Sequence, residues 1–165
     1  MSELGSAEYP KTVNIRGYKP NTNVHIGQLK KAIKMAPDMT LLINGDDSLS
    51  VTLAMDTGNK YHTYGISEKV LDGDENSEIR EGRFCKKCGA KMKYHFYHYS
   101  QLGDYECPGC GFKRPAIEFD ASHIFAGDHL SFEVEGRKIE ANYRGFYNVY
   151  NILTCLLYTS DAADE

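Results

Sequence analysis

A chain of 165 residues with 41% hydrophobic content and a formal charge of −4 is long enough for one ordinary α/β domain plus a small module. It holds no apolar run near the ~20 residues that span a bilayer and no basic-then-apolar leader over Met1 to Lys11, so neither a membrane span nor a secretory signal is expected. The slight acidity gives no overall case for nucleic-acid binding.

Residues 1–23 are polar and rich in Asn, Gly and Pro, with one apolar patch at Val13-Asn14-Ile15. Val24, Leu29 and Ile33, set among Lys30, Lys31 and Lys34, predict a short helix over 24–35 that stops before Pro37. Thr40-Leu41-Leu42-Ile43 is a continuous apolar run, the pattern of a strand buried on both faces of a parallel sheet. It ends at Asn44-Gly45-Asp46-Asp47, after which Ser48 is expected to N-cap a helix carrying Leu49, Leu53 and Met55 and closed by Gly58. Tyr61 to Ile66 reads as the next strand, so the segment forms a βαβ unit. Residues 67–82 are charged and form an exit into an insertion.

The insertion carries the most specific signal in the chain: Cys85-x2-Cys88-Gly89, then Cys107-x2-Cys110-Gly111. Two thiolates three positions apart on a tight turn can share one metal ion. A following glycine can take positive φ, which closes the turn and aims backbone N–H groups at sulfur. Two such knuckles predict a tetrahedral four-thiolate site, a zinc ribbon over about 84–115. Two disulfides, or four unrelated buried thiols, leave the duplicated glycines unexplained. Spacing does not choose zinc from iron, since both accept four thiolates. Paired thiols without a secretion signal point to a reducing cytoplasm. The aromatic stretch Met92 to Ser100 suits one arm of a hairpin and Gly103 to Glu106 the other. Seven bases (Arg83, Lys86, Lys87, Lys91, Lys93, Lys113 and Arg114) face only Asp104 and Glu106. They offset the −2 charge of a zinc–tetrathiolate centre. In the alternative reading, lysines interleaved with Tyr94, Phe96, Tyr97 and Tyr99 make a nucleic-acid-binding ribbon; a rubredoxin-like redox module is a third reading. His95, His98, His123 and His129 lack ligand spacing with an acid and are expected at the surface or on the hairpin.

Beyond Pro115, strand-like segments occur at 117–119, 123–125, 130–134 and 138–141, broken by Gly127 and Gly136. Arg144 to Leu153 looks like a loop running into a helix. The last eleven residues, Cys155 to Glu165, resemble a translated sequencing-library adapter; on that reading Cys155 has no evolved role and the reading frame was cut at its 3′ end. Without Asp161, Asp164 and Glu165 the 23 acids fall to 20, against 19 bases.

Three features in order carry a resemblance. Asn44-Gly45-Asp46-Asp47 is similar to the Asn-Ala-Asp-Asp turn of Mur ligases. The ribbon string FCKKCGAKMKYHFYHYSQLGDYECPGCGFKRP follows, and then Gly145-Phe146-Tyr147-Asn148-Val149-Tyr150-Asn151, similar to the Gly-x-His/Tyr-Asn-x-x-Asn helix start of the same enzymes. Together, over residues 38–154, they resemble the Mur-ligase-type (MurT) subunit of lipid II isoglutaminyl synthases. The resemblance implies an α/β fold, a partial Mur-ligase middle (ATPase) domain with the ribbon inserted into it. Residues 1–82 and 116–154 would form the domain fragment, 83–115 the ribbon and 155–165 the artefact. It also implies the reaction: ATP converts the α-carboxyl of the stem-peptide D-glutamate of lipid II to an acyl phosphate, and ammonia from a GatD-like glutaminase subunit displaces phosphate to give D-isoglutamine. Asn148 and Asn151 match the asparagines that lie against adenine, a task suited to an amide that both donates and accepts. Asp46 and Asp47 fall where α/β sheets place ligands, although turn-forming and helix-capping roles fit them as well. No Gly-x-x-Gly-Lys-Thr phosphate loop occurs in the sequence, and Asn14 to Gln28 matches the family's Asn-hydrophobic-x-Arg-Asp-Gln segment only weakly. The resemblance places that loop upstream and the catalytic carboxylate downstream. No catalytic residue is therefore assigned, and the isolated chain is expected to be inactive, with Mg²⁺ and ATP belonging to the whole enzyme. One structural demand follows: the segments flanking the ribbon must pair within a single sheet.

Overall fold

The computed structural model describes residues 12–15, 23–70 and 81–161. The polar segments 1–11 and 16–22, most of the charged exit stretch (71–80) and the last four residues lie outside that range. Strand β1 (Thr12–Ile15), helix α1 (Asn23–Met35), β2 (Thr40–Asn44), α2 (Ser48–Thr57) and β3 (Tyr61–Gly65) alternate as the βαβ pattern requires. Strands β4 (Lys93–Tyr99) and β5 (Leu102–Glu106) follow as the ribbon hairpin. Then come β6 (Phe119–Asp120), β7 (Ser122–Ala126), β8 (Leu130–Val134), β9 (Arg137–Ala141) and α3 (Tyr147–Asp161).

The main sheet has the order β1-β2-β3-β6, with every pair parallel. Tyr64 pairs with Phe119 and Gly65 with Asp120. The segments before and after the ribbon are thus neighbours in one sheet, and the ribbon is an insertion in the crossover between them. β7, β8 and β9 form a separate antiparallel meander.

β2 is buried on both faces because its side chains feed two cores alternately. Leu41 and Ile43 join Ile33, Val51, Leu53 and Ala54 on the α1/α2 side. Leu42 points the other way, with Tyr64, Ile66, Leu130, Phe132, Val149 and Leu153. Each such side chain contributes about 1.5–3 kcal/mol by leaving water. The ribbon shares the first core, since Cys85, Met92, Tyr105, Cys107 and Phe112 belong to the same cluster. It is therefore fused to the sheet layer rather than tethered beside it.

Three local expectations are corrected. The N-cap of α2 is Asp47, not Ser48: Asp47 is extended (φ −102, ψ 105) and its side chain accepts from the Leu49 N–H, which leaves Ser48 inside the first turn. Met55 is exposed, because the buried stripe of α2 runs through Ser50, Val51, Leu53 and Ala54. Gly58 does close the helix in the left-handed conformation, φ +77. The C-terminal helix does not stop at Leu153. It continues to Asp161, and Leu156 and Leu157 pack at the margin of the second core.

Candidate functional site

The two cysteine knuckles fold as near copies. The Cys85 N–H donates to the Ala90 carbonyl at 2.9 Å and the Cys107 N–H to the Phe112 carbonyl at 2.6 Å. Gly89 and Gly111 turn back to donate to the carbonyls of Cys85 and Cys107 at 2.8 and 2.9 Å. Both glycines have positive φ, +77 and +72, where a side chain would be strained. The bridges Phe84–Lys91 and Glu106–Lys113 close the two turns in the same register.

This duplication brings all four sulfurs within 4.8 Å of one another, the only such group of metal-ligating side chains among the described residues. Sγ of Cys85 lies 3.6 Å from Cys110, and Cys88 lies 3.5 Å from Cys107. A tetrahedron with metal–sulfur bonds of ~2.3 Å has edges of about 3.8 Å, so the thiols fit a four-coordinate zinc or iron ion. They are free thiols, too far apart for a disulfide bond of ~2 Å. Cys85 and Cys107 are buried, whereas Cys88 and Cys110 face solvent.

The protons on this group are mutually coupled. Burial alone would raise Cys107, but N–H groups of Cys110 and Gly109 and the Cys88 thiol bring it down to about 7. Cys88 has a favourable backbone bond at Ala90, yet the Cys107 thiol beside it helps push it up to about 12. Cys107 is thus the thiol drawn toward ionisation in the metal-free cluster. A bound dication lets the remaining thiols ionise.

Most of the surrounding charge and aromatic surface is engaged within the fold. Lys93 pairs with Glu106 at 2.8 Å, and Lys87 sits 5.0 Å from the Phe112 ring and 3.6 Å from Met55 Sδ. Tyr94 stacks on Tyr97 at 4.3 Å and donates to the Gly82 carbonyl. These rings are packed against each other rather than displayed for bases. His95, His123 and His129 are exposed, each beside a carboxylate. His98 sits on the hairpin as expected, but it is buried, with Nε2 3.0 Å from the Ile66 carbonyl. Its Nδ1 has no partner among the described residues. Burial keeps its pKa low and the ring neutral.

The ribbon docks on the turn after β2. Asp46 is fully buried, and its carboxylate receives the Ile66 N–H at 2.8 Å, the Tyr150 hydroxyl at 2.8 Å and the Arg114 guanidinium at 2.6 Å. Arg114 also donates to the Ile66 carbonyl at 3.0 Å and to Ser67 Oγ at 3.3 Å. The Asp46 carbonyl accepts from the Gly103 N–H, and the Gly45 carbonyl from the Tyr105 hydroxyl. A Cβ at Gly65 would lie 2.8 Å from Asp46 Oδ1, so only glycine leaves room for the carboxylate. Despite Arg114, burial dominates and raises Asp46 to about 6. Asp47 is held by the Leu49 N–H, the Ser50 hydroxyl at 2.6 Å and the Gln101 amide at 3.2 Å, and burial raises it too.

Asn148 and Asn151 stand one turn apart at the start of α3, bonded to each other at 3.1 Å. The Asn148 amide also donates to the Arg144 carbonyl at 2.7 Å. The Tyr150–Asp46 bond anchors this end of α3 at the carboxyl end of β2, so the two asparagines are carried to the edge where parallel sheets take ligands.

Sequence reasoning missed Arg114, Tyr150 and Gln101 as the groups that hold the paired aspartates. Arg114 was counted only as a counter-charge for the ribbon. Tyr150 lay unremarked between the two asparagines of the helix motif, and Gln101 gave no local signal at all.

No family model matches the chain. Over 119 residues it is 32% identical to the MurT subunit of the glutamine-hydrolysing lipid II isoglutaminyl synthase of Staphylococcus aureus, a match covering 68% of this chain and 25% of that protein. The corresponding subunit of Streptococcus pneumoniae is 28% identical over 127 residues, covering 76% and 28%. A solved pseudomurein peptide ligase type C from Methanothermus fervidus is similar over 85% of this chain and 28% of its own, at a TM-score of 0.62 and 25% identity. The chain therefore spans about a quarter of the length of the curated relatives it matches.

Proposed function

The chain is a homologue of MurT, the Mur-ligase-type subunit of lipid II isoglutaminyl synthase, and from that premise we propose that it is part of the nucleotide-handling middle domain of an ATP-dependent amidating ligase of peptidoglycan synthesis. The reaction proposed for the whole enzyme activates the α-carboxyl of the stem-peptide D-glutamate of lipid II. The carboxylate oxygen takes the γ-phosphoryl group and ADP leaves. Ammonia from a partner glutaminase then attacks the acyl phosphate, and phosphate leaves as the amide forms. The setting is the cytoplasm, where a thiolate ribbon stays reduced; among the described residues no helix is long and apolar enough to cross a membrane.

Within this chain, Asn148 and Asn151 are assigned to the adenine. Asn148 is oriented by the Arg144 carbonyl and by Asn151. Cys85, Cys88, Cys107 and Cys110 would hold a structural zinc, and that ion supplies folding free energy to the ribbon rather than chemistry. Mg²⁺ would accompany ATP, but the phosphate loop that positions both has no counterpart in this sequence.

The single observation that carries the reading is the bond from Tyr150 to Asp46. It ties the helix that carries both asparagines to the Asn-x-Asp-Asp turn at the carboxyl end of a parallel strand, which supports reading the two motifs as parts of one site. The test is Asn148→Ala with Asn151→Ala in the full-length ligase expressed with its glutaminase. The expected result is a KM for ATP raised about tenfold per lost amide, with zinc content unchanged. A wild-type KM for ATP would refute the adenine assignment.

A further inference from the structure

We propose that Arg114 is a positioning residue through which the metal-loaded ribbon fixes the first turns of α3. The ribbon leaves the second knuckle at Phe112 and Lys113, and the Arg114 N–H is tied back to the Tyr105 carbonyl of β5 at 2.9 Å. Its backbone therefore moves with the ribbon. Its side chain, only 11% exposed, reaches out of the ribbon to three groups of the sheet edge: the Asp46 carboxylate, the Ile66 carbonyl and Ser67 Oγ. Asp46 in turn accepts from Tyr150, which lies between Asn148 and Asn151 on α3. The backbone thus leads from the second knuckle to Arg114, and polar contacts run on from there through Asp46 to Tyr150 at the helix start.

Three other ribbon contacts reach this turn: Gly103 N–H to the Asp46 carbonyl, Tyr105 hydroxyl to the Gly45 carbonyl and the Gln101 amide to the Asp47 carboxylate, and none of them touches the Asp46 carboxylate that grips α3. Arg114 is the ribbon group that touches the carboxylate itself. The planar guanidinium meets the carboxylate through Nε and the Ile66 carbonyl through a terminal nitrogen, a fixed fork that an ammonium lacks. Without metal the ribbon loses its folding free energy, and the anchor point of Arg114 goes with it. That α3 serves adenine rests on the reading above, but hydrogen exchange needs no nucleotide, so the two ideas can fail separately.

The test follows backbone hydrogen exchange over 147–154 in the full 165-residue chain, zinc-loaded and after chelation. In the unaltered chain, chelation is expected to speed exchange there on the order of tenfold, with a smaller change in β8. Arg114→Ala is expected to keep one zinc per chain on its four cysteines, to exchange at the fast rate even with zinc bound, and to show no further effect of chelation. A merely structural loss would speed exchange equally in both metal states, so a preserved zinc-dependent difference would overturn the proposal. Equal acceleration in β8 and α3 of the unaltered chain, marking global unfolding, would overturn it as well. Arg114→Lys, which keeps a charge near Asp46, should recover part of the zinc-dependent difference; no recovery counts against the idea. Should Arg114→Ala fail to fold, Tyr150→Phe removes only the hydroxyl and should leave α3 indifferent to zinc with the ribbon intact. A full zinc response in that variant would also overturn the proposal.

Discussion

Replacing Asp46 by Asn separates two forces that act on one buried carboxylate. Burial favours the protonated acid and Arg114 favours the anion; the net result is a pKa raised from 3.8 to about 6. Between those values the folded state binds more protons than the unfolded state, so the contribution of this group falls as pH rises. The rise from 3.8 to about 6 corresponds to ~3 kcal/mol across the whole window, of which roughly half is expressed between pH 5 and 7.5. An asparagine has no such titration, and its Oδ1 can still accept from Ile66 and Tyr150 while its NH2 group faces Arg114. Asp46→Asn is expected to cost about 2 kcal/mol at neutral pH, from the weakened pairing of a buried guanidinium. Its deficit should be larger by more than 1 kcal/mol at pH 5. Urea unfolding of both proteins in excess zinc, at pH 5 to 7.5, measures the difference directly, and contributions common to both cancel. A deficit that instead grows toward neutral pH would mean that the Arg114 ion pair outweighs desolvation, and the reasoning would be wrong.

Three further outcomes are expected. Cys88→Ser should abolish tight zinc binding and destabilise the ribbon by several kcal/mol, seen as loss of stoichiometric metal and of the cooperative transition in thermal unfolding. Gly65→Ala places a methyl group against the Asp46 carboxylate, at 2.8 Å, and should cost about 1–3 kcal/mol by chemical denaturation. The purified 165-residue chain alone should hydrolyse no ATP, because its sequence has no phosphate loop; steady phosphate release above a buffer control would contradict this.

The parts of the fold legible in the sequence were those written in local chemistry. Cys-x-x-Cys-Gly repeated twice dictates two turns with positive φ at fixed positions, and both appeared at Gly89 and Gly111. The apolar run from Thr40 to Ile43 has no polar position to turn outward, which admits few structures besides a strand covered on both faces. What stayed hidden depends on distant partners. In Asn44-Gly45-Asp46-Asp47-Ser48 three neighbouring residues are each able to cap a helix. The choice falls to Asp47 because Asp46 is drawn away by Ile66, Arg114 and Tyr150. The burial of His98 was hidden for a similar reason: it stands on the hairpin as expected, but what covers it, the Ile66 carbonyl and the Phe146 ring, comes from distant segments. The adenine assignment for the two asparagines came from resemblance, and what the fold adds is their placement.

The insertion of the ribbon between β3 and β6 has a kinetic consequence. β6 is only two residues long, and its partner strand lies on the far side of everything from 66 to 118. A strand so short cannot find its place by its own affinity. It must be delivered by whatever shortens that connection, and closing the four-sulfur knot does so by tying Cys85 to Cys110 through one ion. Sheet completion is therefore expected to wait on the ion: a newly made chain starved of metal would stall with β3 as a bare, sticky rim open to pairing with other chains.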